Sequence, residues 1–271
     1  MTRWGVFAGI TLSVLLFLLA LARLSQPALD GVRPLTRGER RRLDRLPDGT
    51  DHLEAVAVDT QPSTPAERTL SAAPSTELLF VNVALSQGLF GVVLLAGVWL
   101  SGVPSSALGV GAGVMTLRDE LLAGIALGIA LSFANTLAGG LAKAFGADPA
   151  EGLRGLLTPD STAGWVVLLV VVLPIVAGFE ELLFRAALIG AFEAGFGVSP
   201  WLLVVLSSVA FALGHGAQGR LGVIVTGSLG IVLGTAFVVT NSLLVVVVAH
   251  YLVNAVEFVV FEGLGVEPFG E

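Results

Sequence analysis

Residues 163–184 read AGWVVLLVVVLPIVAGFEELLF, and Arg185 follows. About 20 mostly apolar residues, each rising ~1.5 Å, cross the ~30 Å hydrocarbon core of a bilayer. The stretch is long enough to span a membrane. It also carries two adjacent carboxylates, Glu180 and Glu181, where an ionised group costs several kcal/mol. An apolar helix with paired acids calls for a wider structure that satisfies them.

The rest of the chain supplies that setting. Six further segments, 4–22, 78–100, 121–142, 200–215, 221–239 and 243–261, are apolar. The 271 residues are 55% hydrophobic and 13% charged. Soluble domains carry about 25% charged residues, so this surface is built for lipid. The expected fold is all-α, a polytopic transmembrane helix bundle of about seven spans, with the bilayer as its first partner. Pro174 falls inside the fourth span and is expected to kink it, which a packed bundle tolerates.

Three regions follow. Residues 1–22 form an N-terminal anchor; the Ala20-Leu21-Ala22 end also resembles a signal cleavage site, but the apolar run is long for a signal core. Residues 23–77 form a polar, partly disordered loop with a short helix around 37–46. Residues 78–271 form the bundle. The loop holds eight of the 14 basic residues, so the Lys/Arg rule places it on the cytoplasmic side of what is expected to be the plasma membrane. The net charge of −7 and the lack of a basic stripe with interleaved aromatics argue against nucleic-acid binding. With no cysteine, disulfides, thiolate metal sites and a cysteine nucleophile are excluded.

Polar residues concentrate in the fourth, fifth and seventh spans. Glu181 and Arg185 are four apart and can pair on one helical face. Glu180 points about 100° away from Glu181 and must face something else. His215 ends the fifth span, four residues after Phe211. His250 and Asn254 lie four apart on the seventh and share a face; Glu257, further along, is a lesser candidate. The alternative is that these groups are structural, each tying two helices together. Depth adds a geometric test. Glu180 precedes the turn at Gly195-Phe196-Gly197-Val198 by about 17 residues and His215 follows it by about 17, so an antiparallel hairpin puts them level. His250 lies only about nine residues past its own turn and matches less well. The sixth span, with Gly222, Gly227, Gly230 and Gly234, is expected to contribute packing alone.

The ordered set Glu180-Glu181-x-x-x-Arg185, Phe211-x-x-x-His215 and His250-x-x-x-Asn254, on three apolar segments, resembles the CPBP family of intramembrane proteases. That family includes the CAAX prenyl endopeptidases and bacteriocin-processing proteins. The resemblance covers roughly residues 120–262. It implies an intramembrane endopeptidase, glutamate-dependent and formerly described as a metalloenzyme, acting on peptides or membrane proteins. Glu180 and His215 would activate a water, His250 and Asn254 would stabilise the oxyanion, and Glu181, Arg185 and Phe211 would support them. No cofactor is required by this scheme; a zinc ion held by Glu180, His215 and His250 is the metal-dependent variant. No His-Glu-x-x-His helix or Gly-x-Ser-x-Gly elbow is present. A proton-coupled transporter or an inactive scaffold of the same fold is the non-enzymatic alternative.

Overall fold

The computed structural model describes residues 1–30, 76–111, 115–144, 154–155 and 157–266. The loop at 31–75, with its expected short helix and its cytoplasmic placement, lies outside the described residues. Among those described, the chain is all-helical: α1 (Trp4–Asp30), α2 (Thr76–Ser101), α3 (Leu117–Ala144), α4 (Thr162–Phe196), α5 (Pro200–Gly214), α6 (Gly219–Thr240) and α7 (Leu243–Gly263). Six are long and apolar enough to cross a membrane; α5 is the shorter one.

Local chemistry sets the ends. Ser161 accepts a hydrogen bond from the Gly164 amide at 3.0 Å, capping α4. Gly197, at φ 64°, turns the chain after α4, and Pro200 opens α5 with a φ already suited to a helix. Asn241, at φ 48°, closes α6, and Ser242 caps α7 by accepting from the Val245 amide at 3.2 Å.

α4 is the axis of the bundle. It runs unbroken through Pro174 to Phe196, well beyond the Phe184 that apolarity marks out. A wide π turn at Leu168–Val172 absorbs the missing proline N–H, so the helix continues past Pro174. A longer π segment, Leu182–Ala191, begins directly after the paired glutamates. Its looser ladder is compensated from α5: the Ser207 hydroxyl donates to the Phe184 carbonyl at 2.5 Å.

Close approach depends on small residues. A Cβ on Gly230 would lie 3.0 Å from Ser208, and one on Gly234 would lie 3.1 Å from Val204, which locks α6 antiparallel to α5. α3 meets α7 in the same way, at Gly124 against Val248 and Gly128 against Leu252. Both numbers rise together, so α3 and α7 run parallel. α1 is built into the core through Phe7, Thr11 and Val14, all buried, and its Trp4 ring packs on Gly195.

The depth mismatch of His250 resolves in these contacts. Gly190 of α4 lies against Phe237 of α6, and the Leu243 amide donates to the Gly109 carbonyl at 2.9 Å beside the same ring. α7 therefore starts level with Gly190, not with the end of α4. The last turns of α4 protrude past the α6–α7 turn, and His250 comes down beside the glutamates.

Candidate active site

The site is assembled by α4, α5, α6 and α7 around one side chain, Phe211, which is buried to 1% exposure. Its ring centroid is 4.5 Å from the His215 ring and 5.9 Å from the His250 ring, the latter edge-on at 89°. The Arg185 guanidinium carbon sits 4.8 Å over the same ring. An apolar aromatic thus spaces the polar groups and shields them from lipid.

Glu181 is fully buried. Its Oε1 accepts from Arg185 Nη1 at 2.7 Å and from His250 Nδ1 at 2.6 Å. Its Oε2 is buried without a partner. The pairing with Arg185 is the one expected from the i,i+4 spacing. The bond to His250 has no such local signal, because it joins residues 69 apart in sequence. Arg185 Nη2 also donates to the Gly230 carbonyl at 3.4 Å. α6 therefore contributes a polar group to the cluster and not packing alone. A small residue at 230, which lets a backbone carbonyl come close, was the available sign of it.

Glu180 faces the two imidazoles. Its Oε1 is 3.9 Å from His215 Nε2, and its Oε2 is 3.5 Å from His250 Nε2. The partners on the far sides assign the tautomers. His215 Nδ1 lies 2.8 Å from the Phe211 carbonyl, which can only accept, so that nitrogen carries the proton. His250 Nδ1 likewise donates to the Glu181 carboxylate. Both rings then turn Nε2 toward Glu180. His250 is buried, whereas the His215 side chain is 25% exposed, so the cluster opens on the His215 side. In charge terms, Arg185 offsets one carboxylate.

Asn254 stands apart from this knot. It is half-buried, one turn beyond His250 on α7, and its amide makes no hydrogen bond among the described residues. Glu257 lies further along and is engaged elsewhere, by Arg154.

The zinc variant is corrected by the same geometry. Among the described residues, no three or more His, Cys, Asp or Glu side chains are grouped so as to hold a metal ion. A zinc site needs donors converging on one point at about 2.0–2.2 Å. Here Glu180 turns different oxygens to the two imidazoles, and both Nδ1 atoms are committed to Phe211 and Glu181. Glu180, His215 and His250 are paired with each other and with their supports, not arranged around a common centre.

Comparison with known proteins gives one family. The model described as "Rce1-like: Type II CAAX prenyl endopeptidase Rce1-like" matches residues 162–256. That segment starts at α4 and ends inside α7, and it holds every residue of the cluster together with Asn254. α3, which the sequence resemblance took in from about residue 120, lies outside it. Neither the curated proteins nor the solved structures give a match. With its buried Glu/His cluster carried on the matched helices, this segment of the chain is similar to the Rce1-like family of CAAX-protease type.

Proposed function

We propose that this protein is an intramembrane endopeptidase that hydrolyses peptide bonds of membrane-associated proteins or peptides. The observation that carries the proposal is the Glu180 carboxylate facing the Nε2 atoms of both His215 and His250, at 3.9 and 3.5 Å. The similarity of residues 162–256 to the Rce1-like family supports the same reading.

The chemistry follows from the chain's own groups. Amide hydrolysis needs a deprotonated water, a polarised carbonyl and a protonated leaving amine. A water on the open side, between Glu180 and His215, gives up its proton to this pair as it attacks the scissile carbonyl carbon. The C–O bond forms and the carbonyl oxygen becomes an oxyanion. Asn254, one turn from His250, offers its amide N–H to that oxygen. His250 donates from Nε2 only when doubly protonated, since its Nδ1 proton already goes to Glu181. Glu181 and Arg185 then serve to hold the ring and to balance its charge. Collapse of the tetrahedral intermediate breaks the C–N bond, and the proton taken from water passes to the leaving amine.

The test compares membrane proteomes of cells carrying the wild-type protein or Glu180→Gln. Fragments present with the first and missing with the second, at equal amounts of folded protein, are expected. Equal cleavage by Glu180→Gln overturns the proposal, as does proton-coupled flux without proteolysis in reconstituted vesicles.

A further inference from the structure

α3 is held differently from the helices of the site. It packs on α7 and on no other helix to a comparable extent. At one end the two are in van der Waals contact through Gly124 and Gly128, where an added Cβ would lie 2.8 Å from Val248 and Leu252 atoms. Toward the other end, side chains of Ser132, Asn135, Val253, Val256, Glu257 and Phe261 border a narrow cleft. The cleft is closed to a water-sized molecule in this structure. Asn135, half-buried, has an amide with no hydrogen bond among the described residues, an expensive arrangement in lipid. Arg154, in the chain that follows α3, holds to the far end of α7: it pairs with Glu257 and with Glu262, and its guanidinium lies 5.1 Å over the Phe261 ring.

The cleft continues the site. Along α7, His250, Asn254, Glu257 and Phe261 fall on one helical face. From Val253 to Phe261 the groove is about 12 Å long, room for roughly three to four residues of extended peptide. Such a peptide leaves backbone groups unpaired in the membrane, and Asn135 offers both a donor and an acceptor to them.

We infer that α3 is a lateral gate. It pivots at the Gly124 and Gly128 contact, parts from α7 at the Ser132 end, and admits an extended segment of a membrane-embedded peptide to Asn254 and Glu180. The Arg154 clasp holds the closed position. This inference rests on the peptidase reading for the identity of its occupant, and it concerns a helix outside the matched family segment.

The chain has no cysteine, so introduced pairs report on one contact each. Continuing the parallel rungs Gly124–Val248 and Gly128–Leu252 gives Ser132 and Val256 as the next. Spin labels on Ser132→Cys/Val256→Cys in proteoliposomes should show a close and a separated population, with the separated one enlarged by Arg154→Gln. A single close population in both proteins overturns the gate. Oxidising the same pair should lower cleavage of the proteins that Glu180→Gln leaves uncut by at least ~10-fold, reversibly with reductant. A pair fixing α5 to α6, Ala212→Cys/Gly227→Cys, should cost nothing when oxidised. Undiminished cleavage with a complete α3–α7 cross-link also overturns the gate. If the reduced protein cuts nothing, the peptidase reading fails, and the spin labels still decide the gate.

Discussion

α4 and α3 are both long apolar helices, yet they hold opposite places in the fold. Half of the most apolar window of α4 is buried, against 17% of that of α3. Hydrophobicity does not separate them, because lipid and protein interior are equally apolar. What separates them is polarity and size: α4 carries Glu180, Glu181 and Arg185 and is surrounded on several sides, whereas α3 packs chiefly on α7, most closely at two glycines. In a bilayer, polar groups and small residues decide which helix is central.

The sharpest way to break this contrast is at Glu180. Glu180→Gln keeps the shape and removes the proton acceptor. Cleavage should fall by roughly 10²–10⁴, the usual contribution of a positioned acid–base group, with unchanged thermal stability in detergent. A comparable loss of stability would make Glu180 a structural residue like its neighbour.

Arg185 should behave in the reverse way. It is 1% exposed, and its removal leaves Glu181 buried with an uncompensated charge. Arg185→Leu should destabilise the fold by about 3–5 kcal/mol, and Glu181→Leu in the same protein should recover much of that. Denaturation of the single and double variants measures it. A double variant as unstable as the single one would mean that the pair is not the stabilising unit.

These two residues also show how far the sequence could be read. The i,i+4 spacing exposed the Glu181–Arg185 pair, and the equal distances around the Gly197 turn put Glu180 beside His215. The seven helices were legible from apolar runs alone. What escaped was long-range. The His250–Glu181 bond depends on how far α4 protrudes past the α6–α7 turn, and that is set by the contact of Gly190 with Phe237. The Gly230 carbonyl is a backbone group, which side-chain patterns do not reveal. A continuous α4 through Pro174 needed the π turn, a feature of the hydrogen-bond ladder rather than of composition.

At α3 the contrast can be sharpened with glycines. Gly128→Val would press into the Leu252 side chain and the Ala249 carbonyl and should cost about 1–3 kcal/mol. Gly88 on α2 has open space around it, so Gly88→Ala should stay within about 0.5 kcal/mol of the parent protein. Equal effects at the two positions would show that the α3–α7 contact carries no packing energy.

The smallest effect separates two serines that look alike in sequence. Ser207, on α5, donates to the Phe184 carbonyl of α4 at 2.5 Å and is buried. Ser228, on α6, donates at 2.9 Å to Ile224, one turn back in its own helix, near the surface. Removing the second hydroxyl leaves a carbonyl still bonded in its own ladder. Removing the first leaves Phe184, in the π segment beside the glutamates, short of an interhelical partner. Interhelical bonds of this kind are worth on average ~0.6 kcal/mol in membranes. Ser207→Ala should lose about that much, and Ser228→Ala close to none. Ser207→Ala should also lower cleavage more than its stability loss accounts for, because the carbonyl it holds lies one turn from Glu180. If the two variants match in both stability and cleavage, the π segment is not braced from α5, and the precision of the site must come from Phe211 and Arg185 alone.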